Sequence, residues 1–149
     1  MARSSDLDPI LSRLKRYQNV RLERGQEAVR VPATRSEGFD IGVELLAGTF
    51  TVAFESWRRE VDDVETAWNL IALGLSTGSR LRIEPLPDGR SACWLEIILP
   101  DGSWRTLPEL GREPNRLNAA VRYRQNDYVR AAYGSANATR SPDSLRQAS

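Results

Sequence analysis

Phe39, Ile41, Val43 and Leu45 alternate with Asp40, Gly42 and Glu44, and after Ala47-Gly48 the alternation resumes as Phe50, Val52 and Phe54 against Thr51, Ala53 and Glu55. A period of two puts each apolar set on one face of a strand, so this stretch predicts a β-hairpin with one buried face. From Glu60 the period changes. Val61, Val64, Trp68, Ile71 and Leu75 recur at spacings of three and four, the stripe of an amphipathic helix, with Trp68 expected at the centre of the core. Glu60, Asp62, Asp63 and Glu65 crowd its expected first turns, where carboxylates complement the positive end of the helix dipole. Ser56 is the expected cap and Gly78 the expected stop.

Further along, Leu81 and Ile83 alternate with Arg80, Arg82 and Glu84; Pro87-Asp88-Gly89 then turns the chain into Ala92–Leu99, and Asp101-Gly102 turns it into Trp104–Leu107. Before the hairpin, Asp8-Pro9 opens a short helix carrying Ile10, Leu11, Leu14 and Tyr17, with Gly25 as its expected stop. Residues 26–38 read as a connector with an extended piece around Val29 and Val31. A final helix is expected from about Pro114 to Tyr133, with Leu117, Ala120, Val121 and Tyr128 near one face.

The elements together predict an α+β fold: a mainly antiparallel sheet of about five strands in two hairpin or meander units, a central amphipathic helix packed on it, and flanking N- and C-terminal helices. Residues 1–38 would be the N-terminal helix and connector, and 39–133 one globular domain including the C-terminal helix. The polar stretch 134–149 would be a disordered tail, dispensable for folding.

Composition narrows the reading. With 149 residues, 40% hydrophobic and 28% charged, the chain can fill one ordinary core. The balance of 21 basic and 20 acidic side chains argues against a strongly basic nucleic-acid binder. That charge is uneven, with an acidic centre over 39–107 between two basic ends. Twenty of the basic residues are arginine, a bias of GC-rich, bacterial-like coding that carries no function by itself. The start of the chain reads as neither signal peptide nor membrane span, and a cytoplasmic location is expected, in keeping with one free thiol, Cys93.

Chemistry is thinly signalled. The chain has no histidine, which excludes histidine-dependent triads, histidine metal sites and imidazole switches. Gly74-Leu75-Ser76-Thr77-Gly78 spells a nucleophile elbow, but on a helix end rather than a strand-to-helix turn, so Ser76 reads as part of a helix stop. Cys93, in an alternating strand with no neighbouring base, reads as a small apolar side chain. No cofactor motif is present, and no catalytic, cofactor or metal residue is assigned. Asn137-Ala138-Thr139 spells a glycosylation acceptor expected to stay idle.

What remains points to a protein partner. If Cys93, Leu95 and Ile97 face the core, Trp94 lies on the opposite side of its sheet, where a helix or a partner must cover it. The crowded carboxylates Glu60, Asp62, Asp63 and Glu65 would steer a basic partner. The leading expectation is therefore a small soluble protein-interaction module of the adaptor, inhibitor or immunity-protein kind. Its contact residues would be Glu60, Asp62, Asp63, Glu65 and Trp94, with neither membrane nor nucleic acid as partner. Two rivals have their own signals. A histidine-independent enzyme would bring Glu55 or Glu60 beside an arginine in a pocket. An RNA-binding module would join basic residues 13–24 to Arg116, Arg122, Arg124 and Arg130 with Tyr123, Tyr128 and Tyr133.

Overall fold

The structure is a computed structural model that describes residues 7–107 and 120–130. Among these residues, two antiparallel sheets and two helices enclose one core. The first sheet is a meander of β1 (Glu23–Gly25), β2 (Ala28–Val31), β3 (Ile41–Leu46), β4 (Thr49–Phe54) and β5 (Trp57–Val61), in that spatial order. The helices are α1 (Asp8–Leu14) and α2 (Val64–Leu75). The second sheet holds β6 (Ser79–Pro85), β7 (Ser91–Ile98), β8 (Trp104–Thr106) and β9 (Arg122–Arg124), in the order β8-β7-β6-β9.

The predicted hairpin is present. Ile41, Val43 and Leu45 face inward beside Phe50, Val52 and Phe54, and Ala47-Gly48 closes the turn with both residues at positive φ, as a two-residue hairpin needs. The expected extended piece around Val29 and Val31 is β2, which pairs with β3. Residues before 39 are thus part of the same sheet, and Leu7, Ile10, Leu11 and Leu14 of the N-terminal segment are buried in the same core.

The helix expected to begin near Glu60 begins at Val64 instead. Residues 57–61 form a strand because Trp57 and Val61 face inward while Arg58 and Glu60 face outward, a period of two that continues the meander. Glu55, at positive φ, and Ser56 make the turn, so Ser56 is no cap. The cap is Asp63, whose carboxylate accepts from the Thr66 backbone N–H at 2.9 Å and from its hydroxyl at 2.7 Å.

Moving the helix start moves the core. Trp57 is 2% exposed and stacks on Phe54 at 5.0 Å, and the Phe39 ring lies tilted against Phe54 at 5.2 Å. Trp68 is only half-buried, packed against the core under the Arg13 guanidinium. Ala67, Ile71, Gly74 and Leu75 form the fully buried face of α2. Gly74 lets the helix approach β4: a Cβ there would lie 2.6 Å from the Phe54 ring.

The expected C-terminal helix is not found over residues 120–130, and its remaining residues lie outside those described, as does the expected tail. Arg122–Arg124 is a strand that closes the free edge of β6. The segment after β9 is clasped to the fold by polar contacts. Asn126, buried, accepts from the Phe39 N–H at 3.0 Å and donates to the carbonyls of Phe39 and Gly74 at 3.1 and 3.0 Å. The Tyr128 hydroxyl donates to the Pro32 carbonyl at 3.2 Å. A helix would forfeit this set, which supplies partners for buried backbone groups.

The second sheet is covered on both faces. Leu81, Ile83 and Leu95 join the common core, while Arg82, Glu84, Trp94 and Glu96, on the other face, are also buried. No helix among the described residues is long and apolar enough to cross a membrane.

Candidate functional site

The outward face of the five-stranded sheet follows from its registers. One row across the strands reads Glu23, Arg30, Gly42, Ala53, Arg58, and the next reads Gly25, Ala28, Glu44, Thr51, Glu60. Small residues make a floor and charged side chains make walls, enclosing a groove of about 410 Å³ whose lining includes all of these except Glu60.

Gly42 is the unusual feature of this floor. It lies inside β3, its φ is not positive, and a Cβ built on it would meet nothing within 4 Å. Glycine in a strand interior weakens the strand by roughly 0.5–1 kcal/mol relative to alanine, and marks places where another group comes close. Gly74 has such a group in Phe54; Gly42 has none within this chain.

The walls divide into held and open charges. Arg30 bridges Glu23 and Asp40, at 2.5 Å to each. Burial pulls the Asp40 carboxyl up, but the Ala33 N–H and the Arg30 guanidinium outweigh it and hold Asp40 below the usual carboxylate range. Glu44, Arg58 and Glu60 are exposed, and their side chains have no ion-pair or hydrogen-bond partner among the described residues.

The residues expected to meet a partner do not gather. Glu60 is on the outer face of β5, and Asp62 is exposed in the bend before α2. Asp63 is engaged as the helix cap, its carboxyl lowered by the Thr66 hydroxyl and N–H. Glu65 is lowered by its hydrogen bond and ion pair with Arg13, 2.6 Å away. Trp94 is on the side of the sheet away from Leu95, as expected, but is 2% exposed, so the chain itself covers the ring.

Of the residues of the rival readings, Tyr123, Arg124 and Tyr128 have internal partners, Arg116 and Tyr133 lie outside the described residues, and neither Glu55 nor Glu60 lines the groove. Arg80 lies between the rings of Trp104 and Tyr123, at 4.1 and 4.0 Å, and donates to Glu96 at 2.7 Å. Arg82 donates to the Tyr123 hydroxyl at 2.9 Å, and Arg124 to the Ser36 carbonyl at 3.0 Å. Ser76 accepts from the Gly78 N–H at 2.8 Å, and Cys93 accepts from the Ser56 hydroxyl at 2.9 Å while packing partly against the core. Among the described residues no three cysteine or carboxylate side chains gather to hold a metal.

Gly42 was visible in the hairpin pattern, but that pattern ranks positions by their apolar side. The rows that give Gly42 its neighbours need the registers of all five strands, of which sequence supplies one.

Compared with known proteins, the chain matches no family model, and neither a curated protein nor a solved structure shows significant similarity to it.

Proposed function

We propose that this chain is a small protein-interaction module, of the adaptor, inhibitor or immunity-protein kind, acting through the outward face of its five-stranded sheet. The observation that carries the reading is Gly42: a glycine inside a strand, with open space above it and no backbone need for it. Its surroundings support contact with protein. Two rows of mixed charge around a floor of small residues let another polypeptide approach the sheet, while Glu44, Arg58 and Glu60 leave exposed charges of both signs to meet a complementary surface. The contact surface is placed here rather than on the helix start, because Asp63 and Glu65 already have partners.

Gly42→Val tests this. Valine suits a strand and has room in the isolated chain, so folding and melting temperature should hold or rise. Tagged wild-type protein in an extract of its native host should retain a protein, untagged copies of this chain included, that Gly42→Val loses. Equal retention by both would contradict the reading.

A further inference from the structure

The two rows are complementary to each other, strand by strand. On β1 the outward pair is Glu23 and Gly25; on β2, Arg30 and Ala28; on β3, Glu44 and Gly42. Each pair sets a large side chain beside a small one. On β4 both are small, Ala53 and Thr51, and on β5 they are opposite charges, Arg58 and Glu60.

We propose that a second copy of this chain covers this face, related to the first by a two-fold axis running across the strands between the two rows. The inference rests on the reading of this face as the contact surface and names its occupant. A rotation about that axis lays each strand over its own counterpart and exchanges the rows. Arg58 then faces Glu60 of the second copy, and Glu44 enters the space above Gly42 of that copy. Arg30 faces Ala28 there, and Thr51 meets Ala53 near the centre. Because the operation is two-fold, every pairing occurs twice, as a self-complementary interface requires. A two-fold axis parallel to the strands would instead bring Glu44 against Glu60 if it ran over β4, or Glu44 against its own copy if it ran over β3, leaving like charges facing in both. Sheets stacked in this way lie about 10 Å apart with their side chains interdigitated.

Size sets the strength. Five strands spaced about 4.8 Å apart and two rows about 7 Å apart give a patch on the order of 350–500 Å² per copy. That is below the roughly 800 Å² per partner of a stable complex, so the dimer is weak and depends on concentration.

Sedimentation equilibrium of the full chain from roughly 10 μM to 1 mM, the range where weak complexes appear, tests the proposal. The wild type should rise from 16.7 kDa toward twice that mass. Arg58→Glu and Glu60→Arg should each weaken association at least about tenfold by facing like charges, and the double variant should regain it. Both residues are exposed, and circular dichroism checks that each variant is folded. A mass of 16.7 kDa at every concentration, or a dimer indifferent to both single variants, overturns the proposal. Should the wild type stay monomeric while Gly42→Val loses a different retained protein, only the second copy is refuted. If Gly42→Val retains everything, the contact face itself is wrong.

Discussion

Arg58 and Arg82 both project from antiparallel strands on the side away from the core, and their surroundings differ completely. Arg82 is 6% exposed, with the Tyr123 hydroxyl at 2.9 Å and Glu84 at 3.9 Å. Arg58 is exposed, with no ion-pair partner among the described residues, beside a floor of glycine, alanine and threonine. The whole sheets differ in the same way. The outer face of the second sheet is filled with arginine, glutamate and aromatic side chains, with Glu96 paired to Arg80 and Thr106 and Arg82 bonded to Tyr123, whereas the first keeps its outer face low and open. An unpaired charge is costly only where water is excluded, so the second sheet had to pair its charges to fold and the first did not. The open face is accordingly the one whose residues are free to be explained by something outside the chain.

Substitutions can break or sharpen this contrast. The largest effect lies on the core the two sheets share: Trp57→Ala should lose about 3–5 kcal/mol in denaturant unfolding, since its buried ring stacks on Phe54. Trp68→Ala should lose less, because that ring is half-buried; the reverse ranking would restore Trp68 to the core centre. On the outer faces, Glu96→Ala should cost about 3 kcal/mol by leaving Arg80 without its carboxylate between two rings, while Glu44→Ala should stay within about 0.5 kcal/mol. Equal losses at the two glutamates would erase the distinction between the faces.

Glycine gives a subtler comparison. Gly74→Ala should destabilise by about 1–3 kcal/mol, because its new methyl meets the Phe54 ring in a packed interior. The smallest effect is acidic. Asp40 titrates below its unfolded value, so the stability it contributes is present above that value and lost as pH falls through the lowered folded one. Unfolding at stepped pH should show the wild type losing more than Asp40→Asn below about pH 4, where carboxylates titrate. With no histidine in the chain, that usual source of change between pH 5 and 8 is missing.

Sequence marked β3, β4 and the piece that is β2 in the first sheet, and β6, β7 and β8 in the second, but it could not tell which polar faces stay open. β3 and β4 each have one buried and one open face, which writes a clean alternation. β6 alternates just as cleanly, yet Leu81, Arg82, Ile83 and Glu84 are all buried, so there polarity does not report exposure. Trp94 was placed on the correct side of its strand, but the periodicity of one strand cannot say what covers that side. β5 was hidden because Glu60, Asp62, Asp63 and Glu65 run across a strand, a bend and a helix start. Only the pairing of Asp63 with Thr66 marks the true boundary. β9 pairs with a strand about forty residues earlier, a contact that no local period encodes. The candidate site was the least legible, since its rows arise from neighbours assembled across five strands.

The central claim is that Gly42 serves contact with another molecule and not the fold. Denaturant unfolding of Gly42→Val beside the wild type, at a concentration low enough to keep both monomeric, addresses it directly. The account predicts unchanged or greater stability, by up to about 1 kcal/mol, since glycine weakens a strand interior and the added side chain meets open space. A loss of more than about 1 kcal/mol, beyond the usual range for a surface substitution, would show that the fold itself requires the glycine and would contradict the account.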